Sequence, residues 1–242
     1  MRIHQEEGSA VILALMAAGL LLAAGTAIVL TTSVETSIAA AFRGGYEALY
    51  AADAALELAV SDLQNVADWN PVLNGSVRST FVDGNPSGTR VLGDGSPIDL
   101  GQIVNLANCQ KSAGCSVSDM SAVTGERPWG ANNPRWQLYA YGQVANVVGP
   151  GTADPSVYVV VMAGDDPSEN DGDPTIDGAS VGGVPNPGVG VLVLRAEAFG
   201  RHSAHRVLEM TLVRTFSRSS NDPPVPIPGA GALRVLSWRQ FR

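Results

Sequence analysis

Residues 8–30 read GSAVILALMAAGLLLAAGTAIVL, and the chain stays uncharged from there to Ser33. An apolar helix of roughly 20 residues, rising about 1.5 Å per residue, is long enough to cross the hydrocarbon core of a bilayer. Lipid offers no partner to backbone N–H and C=O groups, so a spanning segment must satisfy them within itself as a helix. The stretch therefore predicts a membrane-inserted helix that follows the short polar leader MRIHQEE.

The apolar run does not have the pattern of an ordinary secretory signal. Such a signal has an apolar core of about 7–15 residues followed by a small-residue cleavage site. Here the run is longer, and a helical pattern continues beyond it. Two interpretations remain: an uncut signal-anchor, or a precursor that is cut at Gly8, in front of the apolar run.

Residues 35–65 continue the helical pattern with an apolar stripe at three- and four-residue spacing. The stripe consists of Leu49, Ala52, Leu56, Val60 and Leu63. This spacing is typical of a helix that packs one face on a core. Gly44-Gly45 predicts a kink or a loosened turn, and Asn70-Pro71 predicts the end of the helix.

The C-terminal half has the alternation of β-strands. RWQLYAYGQVANVV places one set of side chains on each face: Trp136, Leu138, Ala140 and Val144 against Tyr139 and Tyr141. VYVVVMAG, GVLVLRAEAF and HRVLEMTLVRTF predict three further strands, the last two joined as a hairpin, and LRVLSWRQFR predicts a final edge strand. We therefore predict an α+β fold, in which a long N-terminal helix, membrane-spanning then amphipathic, packs on an antiparallel β-sheet.

Two N-terminal segments carry a resemblance to a known family. EEGSAVILAL followed by FRGGYEALYAADAALELA resembles the N-terminal domain of the PilX-type minor pilins of type IV pili, whose A-A-(D/E)-A-A-L signature corresponds to residues 51–56. The resemblance covers residues 6–63. It is looser for DDPSENDGDPTIDG, VLRAEAFG and VLSWRQFR, and it implies a pilin-like fold.

The resemblance also implies processing and partners. A prepilin peptidase would cut after Gly8 and leave Ser9 as the mature N-terminus. Most major pilins have Glu five residues after the cut, where it pairs with the terminal ammonium of a neighbouring subunit; this chain has Leu13. A subunit without that carboxylate is expected at the tip, where it would prime or cap the fibre. The implied partners are other minor pilins, the major pilin and a tip adhesin.

The resulting segments are a leader (1–8), a spanning helix (9–34), an amphipathic helix (35–69), a globular β domain (70–220), and a Pro/Gly linker with a C-terminal strand (221–242). The implied location is a single pass through the bacterial inner membrane with a periplasmic domain, followed by the pilus filament or its tip. A net charge of −8 argues against nucleic-acid binding.

No catalytic motif is present, and we predict that the chain is not an enzyme. The sequence lacks G-x-S-x-G, a phosphate-binding loop and a dinucleotide fingerprint. His202 and His205 form H-x-x-H without a nearby Glu or Cys, which favours a surface turn over a zinc site. Cys109 and Cys115 lie six positions apart outside the cytoplasm in this interpretation, which favours a small-loop disulfide over a metal pair.

The acidic segment GDDPSENDGDPTIDG is the most specific chemical feature. Its oxygen-bearing side chains are Asp165, Asp166, Glu169, Asn170, Asp171, Asp173 and Asp177. Ca²⁺ takes six to eight oxygens from such groups, so the segment is a candidate Ca²⁺ site, although the spacing is not that of an EF-hand. The alternative is a solvated loop in which Asp side chains cap turns.

The leading hypothesis is a minor pilin that primes or caps type IV pilus assembly through its N-terminal helix. One alternative is a minor pseudopilin of a type II secretion system. The other is a single-span periplasmic protein that binds Ca²⁺ or another ligand through the acidic segment.

Overall fold

The computed structural model describes residues 6–148, 156–169, 171–178, 186–217, 225–226 and 233–241. The chain divides into two compact units, Met1–Arg43 and Gly44–Arg242. Helix α1, Glu6–Leu63, contributes to both of them. The architecture is α+β, with a long N-terminal helix and an antiparallel sheet.

The first unit contains the apolar part of α1. Its large apolar side chains are well exposed, from Val11 at 60% to Leu21 at 74%. The hydroxyls of Thr31, Thr32 and Thr36 donate to the carbonyl oxygens four residues earlier at 2.8–2.9 Å, so these polar groups are satisfied within the helix. By length and composition this helix could cross a membrane, and none of its most apolar 18-residue window is buried in the chain.

The second unit begins within the same helix, and here α1 is buried along one face. The face is rich in alanine and at most 5% exposed: Ala48, Ala51, Ala52, Ala55, Leu56, Ala59 and Leu63. These residues form one core with apolar side chains of the sheet. The predicted stripe is confirmed, since Ala52, Leu56 and Leu63 belong to this core and Leu49 and Val60 pack against it.

Gly44 and Gly45 remain within the helix, where a loosened turn was predicted. Because neither residue has a side chain, the turn of a β-hairpin (residues 200–204) and the start of its second strand can approach the helix closely. A Cβ at Gly44 would lie 3.4 Å from the Arg201 carbonyl oxygen, and one at Gly45 would lie 2.6 Å from Arg206 Nη2. The glycine pair therefore serves packing between helix and hairpin.

The main sheet has five antiparallel strands in the order β3-β4-β5-β6-β9. Their bounds are β3 Gln137–Gln143, β4 Tyr158–Asp165, β5 Val191–Phe199, β6 His205–Arg214 and β9 Leu233–Phe241. The predicted hairpin joins β5 and β6, and Leu208, Met210 and Leu212 of β6 lie in the α1 core. Two-residue strands β7, Phe216–Ser217, and β8, Val225–Pro226, pair separately.

The predicted alternation along β3 is wrong in part. Trp136 and Leu138 do share a face, but Ala140 lies with Tyr139 in the α1 core, and Tyr141 lies on the opposite face. The register against β4 shifts between Leu138 and Ala140. A bulge inserts one unpaired residue and so exchanges the faces of the side chains that follow.

Residues 70–134 contribute to both faces of the sheet: Val72 and Leu73 join the α1 core, whereas segments from Leu92 onwards cover the other face. Residues 70–134 form α2 Asn70–Leu73, β1 Thr89–Val91, β2 Pro97–Asp99, α3 Leu100–Cys109, α4 Val117–Met120 and a 3₁₀ turn at Gly130–Asn132, and α5 Ala145–Val148 follows β3. Leu100 and Ile103 of α3 pack on Trp136 and Met162 in a second core. Val82 makes a single parallel bridge to Tyr141 of β3.

Buried polar side chains hold this covering layer. Arg127, 7% exposed, donates to the carbonyl oxygens of Ala107 at 2.7 Å and Pro134 at 2.9 Å. Burial lowers the pKa of Arg127 to about 10. The Cys109–Cys115 disulfide predicted from the sequence is formed directly after α3.

The end of α1 lies earlier than predicted. The helix ends at Leu63, and Asn70-Pro71 begins α2 instead of terminating α1. Proline fits a first helical turn because its missing N–H has no intrahelical partner there. Arg214 closes the intervening turn: its guanidinium donates to the carbonyl oxygens of Val66 and Ala67 and lies 3.8 Å from the ring centre of Trp69.

The predicted C-terminal edge strand is confirmed as β9, and two contacts fix it. Trp238 Nε1 donates to Asp53 Oδ1 of α1 at 3.1 Å. Arg239 pairs with Glu209 of β6, whose other oxygen pairs with Arg195 of β5 at 3.1 Å. Most of the predicted linker 221–231 lies outside the described residues.

Candidate functional site

The acidic segment begins at the last residue of β4 and leads towards β5. Residues 165–190 contain six Asp and Glu residues and no Lys, Arg or His. The first turn reverses the chain at once, since the Glu169 amide donates to the Asp166 carbonyl oxygen at 3.2 Å. Such a turn returns Glu169 towards the end of the strand, where Asp165 pairs with Leu192 of β5.

Three of the acids serve the turns of the segment itself. Asp166 accepts from the amide and hydroxyl of Ser168. Asp171 accepts from the Asp173 amide at 3.0 Å, and Asp173 accepts from the Thr175 amide at 3.1 Å. For these residues the turn-capping interpretation of the sequence is sufficient. Asn170, the amide of the predicted set, lies outside the described residues.

The other three acids point into the protein. Asp165 and Glu169 are only 3% and 4% exposed. Glu169 Oε2 accepts from the Gly178 amide at 3.2 Å and from Asn186 Nδ2 at 3.0 Å. Asp177 accepts from the Gly190 amide at 2.8 Å. Asp165 Oδ1 and Glu169 Oε1, by contrast, are buried and have no hydrogen-bond partner among the residues that the structure describes.

The protonation of these acids is strongly shifted. The pKa of Asp165 is raised to about 9, mainly by burial and in addition by the nearby Glu169 carboxylate. Burial also raises the pKa of Glu169 to about 7, against the effect of its Asn186 hydrogen bond. The pKa of Asp177 is raised by burial as well, while its amide partner and Arg214 act in the opposite direction. The inward acids therefore form one repelling group.

The surrounding structure fixes this group. Asn132 Nδ2 donates to the Glu169 carbonyl oxygen, and Asn70 Oδ1 accepts from the Asp177 amide at 2.7 Å. Gly188 lies against the Glu169 side chain so closely that a Cβ there would be 2.2 Å from Cγ. The sequence gives no signal for Asn70, Asn132, Asn186 and Gly188, because each is brought to the acids only by the folded chain.

The other predicted site residues lie elsewhere. Gly8 and Ser9 are helical residues near the start of α1, and Leu13 is 66% exposed. His202 and His205 do not form a joint site: His202 has φ 55° in the hairpin turn, whereas His205 bonds Glu197 at 2.9 Å and stacks on Phe199. Within the described ranges, no group of three or more His, Cys, Asp or Glu side chains is arranged to hold a metal ion by itself.

Comparison with protein-family models, with curated proteins and with solved structures finds no match to this chain. The described molecule thus offers two features on which function can be argued: an apolar helix that its own chain leaves uncovered, and a fixed group of inward-facing acids at the end of β4.

Proposed function

We propose that the chain is a minor pilin, a membrane-anchored subunit that primes or caps type IV pilus assembly through its N-terminal helix. One observation carries the proposal. A single continuous helix is buried against the sheet in its second half, while the apolar window of its first half is not buried at all. Exposed apolar area of this extent indicates an interaction surface, and lipid and the helices of other subunits are the two environments that would cover it.

The small residues of the apolar half support packing against other helices. A Cβ added to Gly19 or Gly25 would meet nothing within 4 Å. The chain's own fold therefore does not require glycine at either position, in contrast to Gly44 and Gly45. Small residues in apolar helices allow close approach of a second helix, which is what a fibre with a helical centre needs.

The N-terminal sequence supports a subunit that loses its leader but keeps its apolar helix. Removal of residues 1–8 would leave Ser9 as the first residue of an uninterrupted helix. Leu13 would then replace the carboxylate that pairs with a neighbour's terminal ammonium in most major pilins. A buried ammonium without its partner is costly, so a subunit that offers no carboxylate is suited to an end of the fibre, next to other minor pilins, the major pilin or a tip adhesin.

Mass spectrometry of the native N-terminus tests this proposal. We expect the endogenous protein, extracted from inner membranes and from sheared fibres, to begin at Ser9. In a matched strain without prepilin peptidase it should begin at Met1. A protein that begins at Met1 in both strains would contradict the proposal and favour a single-span periplasmic protein, and one cut after the apolar run would show a secreted domain.

A further inference from the structure

Asp165 and Glu169 leave two buried carboxylate oxygens unsatisfied within the described part of the chain. The Asp166–Glu169 turn brings Glu169 back to Asp165, and each residue keeps one buried oxygen without a partner. Glu169 is held through its other oxygen and its main-chain carbonyl, so it cannot easily rotate towards solvent. Asp165 is fixed by its place in the sheet.

A proton shared between the two free oxygens would let one carboxyl group donate to the other, but the pair would still keep one buried negative charge beside Asp177. The nearest cationic contribution comes from Arg214 and acts on Asp177, while the guanidinium itself bonds Val66 and Ala67. A cation between the two free oxygens would satisfy both at once and remove the repulsion between the acids.

We propose that the segment after β4 binds one Ca²⁺ ion, with Asp165 Oδ1 and Glu169 Oε1 as its carboxylate ligands and backbone carbonyls and water as the remaining ones. The donors are hard oxygens, and the segment contains no His or Cys, which excludes the usual ligands of zinc. Ca²⁺ accepts six to eight oxygens in flexible geometry and commonly includes carbonyls and water, whereas Mg²⁺ requires a near-ideal octahedron. Two carboxylates are therefore sufficient, although no three acids converge.

The ion would join segments that are far apart in the sequence. Glu169 is bonded to Asn186 and Asn132, and Asp177 is bonded to Asn70 of α2, close to the end of α1. Bound Ca²⁺ would thus fasten the segment to the sheet and to the turn that follows the helix. This role concerns the second unit alone and holds whether or not the chain is a pilin.

Thermal unfolding of the full chain in detergent micelles, with CaCl₂ added to chelator-treated protein, tests the proposal. With a dissociation constant of about 10⁻⁴ M, typical of extracellular modules, Ca²⁺ at a hundredfold excess should raise the Tm by about 5 °C or more. MgCl₂ at the same concentration should raise it much less. An unchanged Tm, or equal effects of both salts, would overturn the proposal.

Three variants locate the site by calorimetric titration with CaCl₂. Asp165→Asn and Glu169→Gln should each weaken binding at least about tenfold. Asp173→Asn is the matched control, since it removes the same charge from the same segment and keeps an oxygen for Thr175; its affinity should change less than about threefold. Equal weakening in all three variants would show diffuse attraction to an acidic loop and overturn the assigned ligands. Because binding is first measured on the unaltered chain, a variant that fails to fold does not remove the test.

Discussion

Leu56→Ala is the substitution that most directly tests the division of α1 into two environments. Leu56 is 0% exposed between helix and sheet. The change removes carbon worth about 0.8 kcal/mol per methylene, or about 2.5 kcal/mol, and a cavity adds to that, since Leu→Ala in cores costs about 2–5 kcal/mol. We expect a loss of about 3–4 kcal/mol, a large part of the ordinary stability of about 5–15 kcal/mol.

Leu21→Ala is the matched control on the same helix. Leu21 is 74% exposed, so the same change should alter the stability of the folded domain by less than about 0.5 kcal/mol. The assay is urea unfolding of the full chain in micelles, followed by intrinsic tryptophan fluorescence, to which the buried Trp69 and Trp136 contribute. Equal losses in both variants, or a loss below about 1 kcal/mol for Leu56→Ala, would refute the assignment of the two halves.

Four further changes have definite expected results. Arg214→Met should lower the free energy of unfolding by about 3 kcal/mol in urea, because the carbonyl oxygens of Val66 and Ala67 lose a charged donor and the Trp69 ring loses its cationic neighbour; a loss below about 1 kcal/mol would show that water replaces it. Replacing Cys109 and Cys115 together by Ala should cost about 2 kcal/mol for so short a loop, and reduction of the unaltered protein should match it. Glu197→Gln should cost about 2 kcal/mol at neutral pH. Although burial opposes the shift, hydrogen bonds and positive charge lower the pKa of Glu197, so this deficit should shrink as pH falls below the ordinary value of 4.5, and a constant deficit would contradict the assignment. Leu13→Glu should move the subunit from fibre ends to positions along the fibre in immunogold images, and an unchanged position would remove the support for an end location.

Periodicity in the sequence predicts the main elements because burial along them is regular. The α1 stripe from Leu49 to Leu63, the β5–β6 hairpin and the edge strand β9 all follow from spacing. The β3 faces do not, since the bulge near Tyr139 depends on the register against β4. The layer that covers the other face of the sheet was also missed, because turn residues such as Gly and Pro are abundant in residues 70–134 and its polar core depends on Arg127, which bonds residues up to 20 positions away.

The acidic segment shows the same limit at the level of single side chains. Composition identifies all of its acids as candidate ligands, and the sequence gives no means of ranking them. The structure divides them by direction: Asp166 and Asp173 bond their own turns, whereas Asp165 and Glu169 are buried. Direction depends on where β4 ends and on partners such as Asn186, more than 15 positions away in the sequence.

The apolar start of α1 and the acids beyond its end each leave a physical requirement unmet. At its start, apolar side chains lack cover, and lipid or neighbouring helices would supply it. Beyond its end, opposite charges are packed together: Arg214 bonds the carbonyl oxygens of the turn, and Asp177 lies close enough to raise the pKa of that guanidinium against the effect of burial. The acids next to Asp177 repel one another, so this group needs a further positive charge to balance it. A bound cation would supply this charge and would stabilise the domain near the end of α1.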